Sequence, residues 1–166
     1  MNWTRILFCC VAMTAMLSIA LTGCTPHKET PKTDAGKKIV VHPDKGPRGG
    51  SLADWGEDEY HVEYTVDTAS KSAVVYICNG ELVANKVVDG INVAADKITD
   101  VKLAVVDPKL EIDLKHDAKR SIGKAIAFSG TNAAFGDAKA AAFKGTVSGK
   151  VDGKPVVGEF PLKPGH

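Results

Sequence analysis

The sequence predicts an all-β fold, an antiparallel β-sandwich of immunoglobulin-like type with about seven or eight strands, in residues 51–166. Short segments alternate apolar and polar residues, pairs of turn-forming residues separate them, and few segments have helical periodicity. The clearest alternation is residues 59–66. The aromatic and β-branched side chains at 60, 62, 64 and 66 point to one face, and Glu59, His61, Glu63 and Thr65 point to the other.

The other predicted strands are residues 73–78, 81–88, 98–106, 110–114, 124–129, 143–151 and 156–162. Asn79-Gly80 predicts a hairpin between the first two of these segments, because Asn-Gly favours the turn that joins paired strands. Pro108 predicts a turn or bulge, and Asp152-Gly153 predicts the last hairpin. The small-residue segment 132–142 is predicted to form a short helix or a loop.

Three residue types have specific predicted places in this fold. Trp55 precedes the strong strand at 59–66 and is predicted to cap an open end of the sandwich. Cys78 ends an apolar run and is predicted to be a buried small hydrophobic residue. Gly145 and Gly149 indicate a bulge or a close approach of another backbone.

The N-terminus has the layout of an exported lipoprotein. Arg5 is followed by sixteen apolar or small residues, Ile6 to Leu21, which is typical of a secretory signal and shorter than most membrane spans. Leu21-Thr22-Gly23-Cys24 then resembles the lipobox that bacterial lipoprotein signal peptidase recognises. The resemblance implies that residues 1–23 are removed and that Cys24 is lipidated and anchors the chain to a membrane, the alternatives being an uncleaved anchor or an ordinary secretory signal.

Residues 24–50 are predicted to form the lipidated N-terminus and a flexible tether, because they are rich in Pro, Lys, Thr and Gly. Residues 25–50 hold six basic and three acidic residues, whereas residues 51–166 hold fourteen and seventeen. A basic tether is attracted to anionic headgroups. The mature chain is formally neutral, which gives no support for nucleic-acid binding.

The sequence lacks the usual signatures of an enzyme. There is no Gly-x-Ser-x-Gly motif and no phosphate-binding glycine loop, and His61 and His116 are the only histidines between residue 51 and the C-terminal residue. We therefore predict a protein without enzymatic activity.

Glu59, His61 and Glu63 are the candidate metal ligands. Side chains two residues apart on a strand lie about 6.5 to 7 Å apart on the same face, and an imidazole between carboxylates suits a divalent metal such as Zn or Cu(II). The alternative interpretation is the solvated polar face of an edge strand.

Three stretches resemble small planctomycete-type lipoproteins. They are Gly49-Gly50-Ser51-Leu52 with Trp55-Gly56 and Tyr60-His61-x-Glu63, the segment 128–137, and the segment 143–155. The first is also similar to the start of periplasmic adaptor subunits of heavy-metal efflux pumps. Many of the lipoproteins have His where this chain has Arg48, so the resemblance extends a ligand role to His61 and Glu63 but not to Arg48.

The sequence thus predicts a lipid-anchored binding or accessory module of the cell envelope that faces the periplasm and weakly binds a divalent metal. The alternative is a structural or protein-interaction lipoprotein that contacts an envelope partner and has no small ligand. Thr25 follows the lipidated cysteine where an Asp would direct some lipoproteins to the inner membrane, which slightly favours the outer membrane.

Overall fold

The computed structural model describes residues 43–162. The predicted signal peptide, Cys24 and most of the predicted tether lie outside the described residues. Residues 43–50, which the sequence assigns to the tether, are folded onto the domain: Lys45 forms a β-bridge with Ser51, and the Gly46 N–H donates to the Gly50 carbonyl. The predicted tether therefore extends no further than residue 42.

Two antiparallel sheets account for nearly all of the regular structure in the described residues. The strands are β1 (Ser51–Trp55), β2 (Tyr60–Asp67), β3 (Ser72–Asn79), β4 (Ile98–Val105), β5 (Leu110–Asp113), β6 (Lys115–His116), β7 (Ile126–Thr131), β8 (Gly145–Val151) and β9 (Lys154–Phe160). Sheet one has the order β1-β2-β3-β7-β6 and sheet two the order β5-β4-β8-β9. Short 3₁₀ helices cover Ala95–Lys97, Ala133–Gly136 and Ala138–Ala142. The predicted all-β, antiparallel two-sheet fold is confirmed.

The main core lies between the two sheets and is built from the inward side chains of both. Trp55 is fully buried in it, and its indole Nε1–H donates to the Val147 carbonyl at 2.9 Å. This bond ties β1 of sheet one to β8 of sheet two. Trp55 is thus a core residue that joins the sheets and not a cap over an open end.

Both lateral sides of the sandwich are closed by contacts between the sheets. On one side β1 runs beside β9, where the Leu162 N–H donates to the Leu52 carbonyl at 2.7 Å. On the other side the chain passes from β5 in sheet two to β6 in sheet one at Leu114, whose N–H donates to the Val101 carbonyl at 2.8 Å. These contacts cover backbone edges that would otherwise be open to another strand.

Residues 81–88 do not form the strand that Asn79-Gly80 predicts. Over Ser72–Ile77, β3 already pairs with β2 on one edge and with β7 on the other, so residues 81–88 cannot pair along it. Only the end of β3 pairs with the chain that follows, through the Cys78–Asp89 bridge and the Asn79 N–H, which donates to the Val88 carbonyl. The segment instead crosses the outer face of sheet one, where Val87 is buried against Leu52 and Cys78. Sheet one is therefore covered on both faces.

The close approaches predicted at Gly145 and Gly149 are confirmed. A Cβ on Gly145 would clash with the Ala104 carbonyl of the neighbouring strand, and a Cβ on Gly149 would press on the Trp55 ring at 3.1 Å. The glycines in β8 thus allow β4 and Trp55 to pack tightly against it.

We expect Gly145→Ala to lower the free energy of unfolding of the full chain by about 1–3 kcal/mol, because backbone atoms of β4 cannot move aside easily. Gly136→Ala is the matched control, since its Cβ would meet only the flexible Lys71 side chain. Urea denaturation measures both variants. Equal stability of the two would contradict this account of β8.

Candidate functional site

The outer face of sheet one carries a polar cluster where the sequence predicts the metal ligands. Strand register places Asp54, His61 and Cys78 side by side in one row across β1, β2 and β3. The next row along the same face contains Leu52, Glu63 and Tyr76. Residues 43–50 and the segment around Asp89 cover these rows, so that His61 and Glu63 are fully buried.

Glu63 is the centre of this cluster. One carboxylate oxygen, Oε1, accepts hydrogen bonds from the backbone N–H groups of Arg48 at 2.7 Å and Gly50 at 2.8 Å. The other oxygen, Oε2, accepts from the Arg48 guanidinium at 3.1 Å. Gly46 and Gly50 lie so close to β2 that a Cβ on either would clash with it, so only glycine lets the backbone reach this carboxylate.

Arg48 links Glu63 to a second carboxylate. Its guanidinium donates to both oxygens of Asp89, at 3.0 and 2.6 Å, and lies over the Tyr76 ring with 3.8 Å between Cζ and the ring centroid. Burial opposes the charge, but the hydrogen bonds to Asp89 and Glu63 outweigh it and raise the pKa of Arg48. We call Arg48, Glu63 and Asp89 the arginine clamp. It binds residues 46–50 and the segment around Asp89 to the same strand.

His61 lies beside the clamp in a fully buried position. Its Nδ1 is 2.9 Å from the Asn79 carbonyl oxygen, and its Nε2 is 3.2 Å from Asp54 Oδ1. A carbonyl oxygen only accepts, so Nδ1 carries a proton and donates it. The other ring nitrogen, Nε2, faces the Asp54 carboxyl group. His61 thus ties β1, β2 and the end of β3 together.

Cys78 completes the buried row. Its thiol is 3.7 Å from Asp89 Oδ1, and burial, followed by the charges of Asp89 and Glu63, raises the thiol pKa. A thiol in these surroundings stays protonated and is neither a strong nucleophile nor a ready metal ligand. The prediction that Cys78 is a buried small residue is confirmed.

The structure does not bring the three predicted metal ligands together. Glu59 precedes β2 in an exposed turn and accepts a hydrogen bond from the Tyr60 hydroxyl. His61 and Glu63 share a face, but each already has other partners. His61 contacts Asn79 and Asp54, and Glu63 accepts hydrogen bonds from Arg48 and Gly50. Within residues 43–162, no group of three or more His, Cys, Asp or Glu side chains is arranged to hold a metal ion. Zn or Cu(II) binding stays a prediction without support from this geometry.

The alternative interpretation of this face, as the solvated side of an edge strand, is wrong. β2 lies between β1 and β3, and His61 and Glu63 are 0% exposed. Strand alternation identifies which residues share a face, but it does not reveal that distant segments cover that face. The contacts that Arg48, Asp54 and Asp89 make with this face were not predicted, and the only local signal for them was an arginine among glycines before β1.

A groove of about 600 Å³ lies on another part of the surface, where the sheets separate near the bulge in β4. The apolar side chains of its floor, those of Ile98, Val101, Leu114 and Phe128, are each at most 6% exposed. The groove therefore offers little apolar surface to a ligand.

His116 lies on the rim of this groove. Its Nε2 is 3.1 Å from the Ser121 hydroxyl. That hydroxyl also donates to the Asp117 carbonyl and accepts from the Ala127 N–H, which engages it in holding the loop after β6. The contacts of Ser121 are those of a structural hydroxyl and not of an activated nucleophile.

Comparison of the chain with protein-family models, with curated proteins and with solved structures found no match. Across residues 43–162, the structure contains no helix with the length and apolar character needed to cross a membrane.

We expect Arg48→Met to lower the free energy of unfolding by about 2–4 kcal/mol, because it leaves the buried Glu63 carboxylate without a counter-charge. Arg120→Met is the control, since Arg120 is as exposed as Arg48 but pairs with the more accessible Asp67 and Asp117. We expect the control to cost at most about 1 kcal/mol. Urea denaturation of the full chain tests the difference, and a smaller effect at Arg48 than at Arg120 would refute the clamp.

A double-mutant cycle with Asp54→Asn and His61→Gln tests the buried pair. We expect a coupling free energy of about 1–3 kcal/mol between the two positions, because the His61 ring is fully buried and its Nε2 lies 3.2 Å from Asp54 Oδ1. Tyr60→Phe, combined with Asp54→Asn, supplies a control pair on the same strands. Additive effects of Asp54→Asn and His61→Gln would show that the two side chains act independently.

Proposed function

We propose that this chain is a lipid-anchored lipoprotein of the cell envelope, whose β-sandwich is a non-enzymatic binding or accessory module facing the periplasm. The observation that carries the proposal is the arginine clamp, which attaches residues 46–50 firmly to the domain. The sequence before this point predicts a lipid anchor at Leu21 to Cys24, followed by a Pro-rich and Lys-rich tether. In the proposed protein, the clamp would attach this tether to the domain.

A tethered domain needs a secure junction between its flexible and its folded parts. A flexible chain of nineteen residues, the length of the predicted tether before residue 43, has a root-mean-square reach of about 25 Å. The clamp sets the boundary at which this reach begins, because the Arg48 and Gly50 amides are bound to a fully buried carboxylate. A pull on the chain before the clamp would then not separate β1 from β2.

The buried side chains support an accessory role over a catalytic one. His61, Glu63 and Cys78 are the groups most suited to chemistry in the cluster, and all three are fully buried. These side chains bond to neighbouring strands and to residues of the clamp. Such a buried polar network fixes how the strands and covering segments pack.

The alternative, a structural or protein-interaction lipoprotein without a small ligand, is favoured by the shallow apolar floor of the groove. Few strand edges are open to a partner that would pair with a sheet of this domain. β1 is covered by β9, β6 has two residues, and β5 carries the exposed acids Glu111 and Asp113. A protein partner of this domain would therefore contact its loops and ends.

We expect Cys24→Ser to move the full chain from the membrane fraction to the soluble periplasmic fraction, because the variant has no thiol to carry acyl chains. Cys78→Ser is the matched control and should stay in the membrane fraction, since Cys78 is buried within the domain. Fractionation and intact-mass analysis measure both properties. Equal membrane retention of the two variants, with no acyl mass on Cys24, would refute the anchor.

A further inference from the structure

The two ends of the sandwich differ in charge. One end comprises the turn 68–71, the turn 106–109 and the segment 132–144. These segments are connected, because the Asn132 N–H donates to the Lys71 carbonyl and the Val106 N–H donates to the Lys144 carbonyl. We call this surface the lysine end. Its exposed charged residues are four bases and two acids, Lys71, Lys109, Lys139, Lys144, Asp107 and Asp137.

Three segments at the opposite end of the sandwich form an acidic surface. They are the turn 56–59, the segment 94–97 and the turn 152–153, and a hydrogen bond from the Asp152 N–H to the Lys97 carbonyl joins the last two. We call this surface the acidic end. Its exposed charged residues are five acids and one base, Glu57, Asp58, Glu59, Asp96, Asp152 and Lys97. The exposed charge of these three segments is therefore opposite in sign to that of the lysine end.

The lysine end also exposes apolar side chains. Val106 is 71% exposed, and Pro108, Ala138, Ala141 and Ala142 are exposed beside it. Lysines that surround small apolar side chains are typical of surfaces that rest on the headgroup region of a membrane, where the charges meet anionic lipids and the apolar groups enter the interface.

The chain before β1 turns back on itself on the side of the lysine end. Lys45 pairs with Ser51 at the start of β1, and Leu52 is bonded to Leu162, just beyond the last residue of β9. The starts of β1 and β8 and the ends of β4 and β9 thus lie at the lysine end.

We infer that the lysine end docks on the anionic headgroups of the membrane to which the chain is anchored, so that the acidic end points away from the bilayer. The inference rests on the proposed anchoring, which would keep the lysine end within reach of the surface. Anionic lipid is the occupant, because it complements both the lysines and the exposed apolar side chains. The attraction is screened beyond about 10 Å at physiological salt, so the lysine end must approach the headgroups closely.

The experiment places a polarity-sensitive dye on the full chain, at Val106→Cys on the lysine end or at Glu57→Cys on the acidic end. The protein is mixed with vesicles of phosphatidylcholine, with and without phosphatidylglycerol. We expect the dye at residue 106 to shift to shorter wavelength only with phosphatidylglycerol, and the dye at residue 57 to stay unchanged. Equal responses at the two positions, or an equal response to pure phosphatidylcholine, would overturn the inference.

Charge variants provide the second measurement. The variant in which Gln replaces Lys71, Lys109, Lys139 and Lys144 carries the same dye at residue 106. We expect its affinity for vesicles that contain phosphatidylglycerol to fall at least about tenfold. The matched control replaces four exposed lysines elsewhere, Lys86, Lys97, Lys124 and Lys154, and should have much less effect. A loss of binding that is the same in both variants would show a general response to net charge and contradict docking through the lysine end.

The two proposals fail in different ways. If Cys24 carries lipid and the chain floats with the vesicles, but the dye at residue 106 reports no headgroup contact, only the docking inference fails. If Cys24 carries no lipid, the anchoring proposal fails, and the dye at residue 106 still measures directly whether the lysine end binds anionic vesicles.

Discussion

The outer layer of this domain depends on the buried carboxylate of Glu63. A charged group without solvent costs several kcal/mol unless hydrogen bonds and an opposite charge replace the water. The chain supplies two backbone N–H groups and one guanidinium, all from residues 48–50. Because these donors must reach β2, the chain before β1 folds down onto the sheet, and Gly46 and Gly50 permit the approach.

The same guanidinium also organises the segment after β3. Arg48 bonds to Asp89 and lies over Tyr76, which holds the end of this segment against β3, where Asp89 also forms a β-bridge with Cys78. Val87 and Leu52 then form a small second core with Cys78. One arginine thus connects the entry of the chain, the centre of β2 and the segment that covers β3.

The sequence predicts the elements that depend on local pattern and misses those that depend on distant segments. Period-two alternation predicts β2, and turn residues predict the β8–β9 hairpin, because both signals are local. The failure at 81–88 arises because β7, far along the chain, already pairs with β3 over Ser72–Ile77 and leaves only the last two residues of β3 for the chain that follows. The sequence pattern also does not predict that His61 and Glu63 are buried. Their face follows from alternation, but its cover comes from residues 43–50 and from the segment around Asp89.

In the proposed role, the clamp fixes the point at which the folded domain begins. Amide hydrogen exchange of Arg48 and Gly50 in the full chain tests it most directly, since both amides donate to Glu63. The account predicts that they exchange slowly, with protection similar to that of the amides in β2. Exchange as fast as that of an unstructured chain at both residues would show that the clamp is open in solution and would contradict it.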